Sequence, residues 1–164
     1  MNTDDLTNGN LNLAGCEGVI RDDAKRWIVG FSKCIDITSS FATELWGLRE
    51  GLILCCNLNI TSLEIEHDTK AIVDILNKPS YVNNTISPIL DDCRLLAFCI
   101  PQIRVKHCFC QANRCVDSLA RMSFSLDGDF SSFHSPPMDL IDVFEGDLNG
   151  VYVNRMCPKP DVLI

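Results

Sequence analysis

An α/β layer fold is predicted for this 164-residue chain on three observations. Short β-prone runs and helix-period runs alternate up to about residue 124, the order that builds helices against a sheet. Hydrophobic residues make up 46% of the chain, enough for one domain with a real core. No apolar run approaches membrane-spanning length.

The elements follow in order. "GCEGVIRDDAKRWIVGF" holds two β-prone runs, Val19-Ile20 and Trp27 to Phe31, separated by polar residues of hairpin type, which predicts two antiparallel strands. Phe41, Leu45, Leu48 and Leu52 recur at helical spacing behind Ser39-Ser40, which can cap the start. "TSLEIEHD" reads as a strand and "TKAIVDIL" as a short helix, so a parallel crossover is expected. "SPILDDCRLLAFCI" reads as a helix, "PQIRVKHCF" as a strand and "ANRCVDSLARM" as the last regular helix. Past residue 124, Pro136-Pro137 and several glycines break the pattern. The expected division is a domain over residues 1–124, its first strand cut short because only three residues precede Asp4, and a loosely packed acidic tail over residues 125–164.

Charge and cysteine content narrow the class. The formal charge of −8 argues mildly against a broad basic face for nucleic acid. It is uneven, however: residues 125–164 carry seven acids against Arg155 and Lys159, so the tail alone holds −5 of it and the remainder is nearly balanced. Ten cysteines would suggest disulfides in a short secreted chain. No charged-then-apolar leader opens this one, and Cys93 and Cys99 fall in an apolar helical pattern, so reduced thiols and an intracellular setting, cytoplasm or nucleus, are expected.

Four acids stand near element boundaries, and each has an ordinary reading. Glu44 falls between Phe41 and Leu48 on the edge of the apolar stripe, with no Lys or Arg three or four positions away, and could tip out to water. Asp68 separates a strand from a helix, where an N-cap or a ligand-facing group is usual. Asp4 reads as a solvated turn acid, and Asp117 as one half of an exposed pair with Arg121.

Their order is more informative. "NTDD", "ATELWGLREGL", "LEIEHDTKAIVDIL" and "VKHCFCQANRCVDSLA" resemble the four acidic motifs of the ribonuclease H fold, in particular the plant retrotransposon-derived, reverse-transcriptase-like group. The resemblance runs from residue 2 to about 124, and "SPPMDLIDVFEGDLNGV" is similar to a segment that often trails these domains. It implies a mixed five-stranded sheet led by the antiparallel hairpin, helices on both faces, and four acids meeting at one edge. Asp4, Glu44, Asp68 and Asp117 match the family's metal-binding carboxylates and His107 its assisting histidine. The implied cofactor is a pair of Mg²⁺ or Mn²⁺ ions. The implied substrate is an RNA–DNA hybrid, cut to leave a 3′-hydroxyl and a 5′-phosphate. No membrane is implied, and the chain is expected to be monomeric.

Phosphodiester hydrolysis gives such residues a reason. Charge develops on both the attacking and the departing oxygen, and two divalent ions about 3.5–4 Å apart stabilise both. Hard cations prefer carboxylate oxygens. His107 would lie on a loop at the rim and could shuttle a proton, and Asn113 could cap the helix that carries Asp117. Zinc is not expected, because His107, Cys108, Cys110 and Cys115 span a strand exit and a helix start and lack a two-residue gap between any cysteine pair. Where the family has glycine and a small hydroxyl residue after the first aspartate, this chain has Asp5 and Leu6. That departure keeps open an alternative, an inactive domain of mobile-element origin that binds nucleic acid or protein.

Overall fold

Strand alternation divides the interior into two layers. Val19 packs with Cys115, Val116, Leu119, Leu140 and Phe144, whereas the next residue, Ile20, packs with Leu45, Leu48, Leu52 and Ile65 on the other face of the sheet. Successive strand residues point to opposite faces, so both faces of this sheet are covered. The computed structural model describes residues 1–8, 13–36, 39–78, 87–108, 115–116, 118–119 and 130–148.

The strands are β1 (Asn2–Asn8), β2 (Leu13–Arg21), β3 (Trp27–Asp36), β4 (Ser62–His67), β5 (Gln102–His107) and β6 (Phe130–Phe133). They form one mixed sheet in the order β5-β4-β1-β2-β3-β6, with β4 parallel to both β1 and β5 and the other pairs antiparallel. The helices are α1 (Ser40–Asn57), α2 (Lys70–Leu76), α3 (Ser87–Phe98) and α4 (Ile141–Leu148). Cys115, Val116, Ser118 and Leu119 are also helical. Ser39 caps α1 as expected, its hydroxyl accepting the Ala42 N–H at 3.3 Å. Leu45, Leu48, Leu52 and Cys55, at the spacing of one helix face, then lie buried against the sheet. The fold class is therefore the expected one, with six strands in place of five.

β1 is seven residues long and pairs with β2 along its whole length. Towards β4 it pairs only at its start, where Asn2 faces Glu66 and the Met1 carbonyl accepts the Glu66 N–H at 2.9 Å.

The segment read as a loosely packed tail is, over residues 130–148, part of the body of the fold. β6 extends the sheet beside β3, and the Phe133 carbonyl accepts the Trp27 indole N–H at 2.8 Å. Leu140 and Phe144 are buried, with the Phe144 ring edge-on to Trp27 at 5.6 Å. The physical reason is that β3 presents an open edge and Trp27 an apolar surface, and a strand and a short helix cover both.

The described cysteines, Cys16, Cys34, Cys55, Cys56, Cys93, Cys99, Cys108 and Cys115, are free thiols. Among the described residues no helix is long and apolar enough to cross a membrane.

Candidate metal centre

The inward face of β4 carries Leu63, Ile65 and His67, alternating with exposed Ser62 and Glu64. Leu63 and Ile65 fill the core below α1, so the third inward position delivers a histidine to the carboxyl end of the strand. Asp68 follows at once, and Thr69 opens α2. The first turns of α1 bring Glu44 to the same place, one residue before buried Leu45.

Glu44 does not tip out to water. It is buried, with the Thr69 hydroxyl donating to Oε1 at 2.7 Å and the His67 Nε2 3.0 Å from Oε2. The second contact lies outside the angle of a good hydrogen bond, which leaves Glu44 Oε2 and His67 Nε2 without a hydrogen-bond partner. His67 is fully buried, and its Nδ1 accepts the Thr69 N–H at 3.1 Å. Asp68 keeps 15% of its side chain exposed, with Oδ1 3.8 Å from His67 Nδ1 and likewise without a hydrogen-bond partner. One ligand-capable atom from each of Glu44, His67 and Asp68 falls within 4.8 Å of the others.

The N-cap reading of Asp68 is replaced by a different arrangement. Thr69 holds the cap position of α2, its carbonyl accepting the Ile72 and Val73 N–H groups, yet its side chain makes no capping bond. The hydroxyl proton goes to Glu44, while the hydroxyl oxygen accepts no N–H of α2.

His107 is the last residue of β5 and not part of a rim loop. It faces His67 across the parallel pair, is exposed, and donates from Nε2 to the Asp68 carbonyl at 2.9 Å. It thus braces the backbone that carries Asp68. Cys108 extends this pairing, its N–H bonded to the His67 carbonyl at 2.9 Å.

Asp4 is in the interior of β1, not in a turn, and of this residue the structure describes the backbone alone. In sequence, Asp4 stands two residues beyond Asn2 and Asp68 two beyond Glu66, the one pair that joins β1 to β4 among the described residues. Directly across the antiparallel pair is fully buried Glu17, a further acid at this position. Asp117, Asn113 and Cys110 lie outside the described residues. The structure therefore brings Glu44, Asp68 and His107 to one end of β4.

His67 and Thr69 were missed as site residues. A signal for His67 was present, since period-two alternation from Leu63 and Ile65 assigns it an inward position beside Asp68. For Thr69 no local signal exists, because its partner is 25 residues away in sequence.

The donor set suits a hard divalent cation. Two carboxylates present buried oxygens that no protein donor satisfies, and such atoms are costly unless paired or bound to metal.

Comparisons with known proteins agree with this architecture. A family model described as "Reverse transcriptase-like" matches residues 2–123. An Arabidopsis thaliana protein named "Putative ribonuclease H protein" is 34% identical over 137 residues; the match covers 84% of this chain and 22% of that protein, so the chain spans about a fifth of its relative's length. Among solved structures, RNase H1 from Halobacterium salinarum superposes with a TM-score of 0.68 at 16% identity, covering 76% of this chain and 95% of that one. The RNase H domain of a Mycobacterium tuberculosis protein gives 0.68 at 19%, covering 75% and 90%. LC11-RNase H1 in complex with an RNA/DNA hybrid gives 0.62 at 18%, covering 76% and 94%. These likenesses show the ribonuclease H fold.

Proposed function

This chain belongs to the reverse-transcriptase-like family, and on that premise we propose that it is a metal-dependent endonuclease hydrolysing the RNA strand of RNA–DNA hybrids. The observation that carries the reading is the pair of buried, unsatisfied carboxylate oxygens, Glu44 Oε2 and Asp68 Oδ1, held together at the carboxyl end of β4.

Glu44 and Asp68 would hold Mg²⁺ or Mn²⁺, with Asp4 and Asp117 completing the set for two ions. When bound, such ions supply charge stabilisation for the attacking and departing oxygens and lower the pKa of a water. The chain's own residues do the rest. Glu44 is fixed by its bond to Thr69, so its free lone pairs keep one direction while the substrate phosphate arrives. Asp68 is less enclosed than Glu44 and is the more accessible of the two to an incoming phosphodiester. His107, exposed beside it, can hold or release a proton at Nδ1 while Nε2 stays on the Asp68 carbonyl. The hybrid would be recognised by its A-form shape and 2′-hydroxyl groups, since a chain of this charge offers little for non-specific grip.

The test is cleavage of an end-labelled RNA–DNA hybrid with Mg²⁺ or Mn²⁺. Product above an Asp68→Asn control supports the reading, and its absence at high protein concentration rules it out. A second reading, a non-catalytic domain that binds nucleic acid or protein, is favoured by Asp5 and Leu6 beside Asp4, which add charge and bulk where the substrate backbone would pass. It predicts hybrid binding with no product and no saturable Mg²⁺ uptake in calorimetry.

A further inference from the structure

Building on the hydrolase reading, we infer that His67 is a positioning residue of the metal centre: its imidazole aims the Glu44 carboxylate and is not itself a ligand. A histidine touching two carboxylates looks at first like a third metal ligand. The hydrogen bonding around its ring argues otherwise. Nδ1 accepts the Thr69 N–H at 3.1 Å, so in the neutral imidazole the proton belongs to Nε2. A protonated Nε2 cannot donate a lone pair to a cation. It can only give its proton, and Glu44 Oε2 is 3.0 Å away.

The contact is off the ideal hydrogen-bond angle. Yet both atoms are buried, neither has another hydrogen-bond partner, and they stand 3.0 Å apart. Thr69 then serves Glu44 twice. Its hydroxyl holds Oε1 directly, and its N–H fixes the tautomer that lets His67 hold Oε2. A carboxylate has about four lone-pair sites. With the Thr69 hydroxyl on Oε1 and the His67 Nε2 proton beside Oε2, lone pairs on both oxygens remain for a cation. The arrangement matches the way outer partners orient metal-ligating groups elsewhere.

The rest of the pocket agrees with a supporting role. His67 is entirely enclosed, whereas Asp68 retains partial exposure. The next inward residues of β4 are Ile65 and Leu63, so the fully buried imidazole follows the apolar core along the strand. Its backbone is clamped as well, with its carbonyl taken by Cys108 N–H at 2.9 Å.

Two measurements on the full chain test this. Long-range ¹H–¹⁵N spectra of the metal-free protein should show His67 protonated at Nε2, and saturating Mg²⁺ should leave that proton in place. Calorimetry with Mn²⁺ should show about a 10–100-fold loss of affinity in His67→Leu, the usual cost of removing an outer partner. His67→Gln should stay within about threefold of the unmodified chain, because its amide nitrogen takes the place of Nε2 and can donate to Glu44.

The inference is overturned by an Nδ1-protonated tautomer, or by an imidazole nitrogen coupling in the pulsed EPR spectrum of bound Mn²⁺ that His67→Leu removes. A folded His67→Leu chain with unchanged Mn²⁺ affinity overturns it equally. Should that variant not fold, the tautomer and the Gln variant still decide. If the unmodified chain binds no Mn²⁺ at all, the hydrolase reading fails with it. Mn²⁺ binding without the predicted His67 behaviour removes this inference alone.

Discussion

Replacing Thr69 by valine exchanges a hydroxyl for a methyl at nearly constant volume, and its cost can be worked out from two contacts. At a helix N-cap, loss of a hydroxyl ordinarily costs about 1 kcal/mol through the lost cap bond. Here that contribution is absent, because the Thr69 side chain makes no capping bond to α2. What is lost is the donor to Glu44 Oε1 at 2.7 Å, a bond to a charged and buried acceptor worth about 1.5–3 kcal/mol. For a domain of this size about 1 kcal/mol moves the melting temperature by roughly 2–4 °C, so a fall of about 3–12 °C is expected in thermal unfolding without metal. Thr69→Ser keeps the hydroxyl and should lose little. In a Glu44→Gln background the acceptor is neutral, and the cost of Thr69→Val should shrink to about 0.5–1.5 kcal/mol. A Thr69→Val chain within about 0.5 kcal/mol of the unmodified protein would refute the reasoning. So would an equal cost in both backgrounds, which would place the effect in helix capping and not in the hold on Glu44.

Further expectations concern the frame around the site. Trp27→Phe removes the indole donor to the Phe133 carbonyl and should cost about 0.5–1.5 kcal/mol, with protease cutting between residues 124 and 140 accelerated in limited digestion; unchanged cutting would mean that β6 is held by other contacts. Gly18→Ala would bring a methyl to 2.3 Å from the Phe31 ring, which rests between Gly18 and Gly51, so about 1–3 kcal/mol should be lost in urea unfolding, and a neutral result would show that Phe31 can move aside. Burial pushes the Cys93 thiol up to about 12 from an ordinary 9.0, so it should resist alkylation at pH 8 until the chain is unfolded, while exposed Cys99 reacts. The same shift means the unfolded chain ionises first. The stability this thiol contributes is whole below pH 9.0 and drains away as pH rises towards about 12, which pH-dependent unfolding would register.

The sequence carried most of the frame because most of its elements obey local rules. α1 combines a cap, a 3–4 apolar repeat and 18 residues of length, and β4 a clean alternation. β6 has four residues and two inward positions, too few for any periodicity to register, and it exists because β3 offers an edge. The spacing of Leu140 and Phe144 is that of a helix face, but Pro136-Pro137 and the short span hid it. Within the site, Glu44 and Asp68 were legible from motif order. Their environment was not, since burial of Glu44 depends on Thr69 and His67 arriving from a distant strand end. The N-cap expectation for Asp68 failed because α2 begins one residue later, with Thr69 in the cap position.

The order of the sheet leaves β5 at one border, and its outward residues are Arg104 and Lys106, both reaching Glu64 on the neighbouring strand, Lys106 at 2.6 Å. That hydrogen bond from Lys106 holds the Glu64 carboxyl below its usual range, so the pairing persists well into mild acid. At the opposite border stands β6, four residues long with two serines in its middle. A chain rich in β-branched and thiol-bearing segments thus ends its sheet on one side with lysine and arginine and on the other with a stub too brief to template a further strand. Both borders discourage one molecule from zipping onto the next edge to edge.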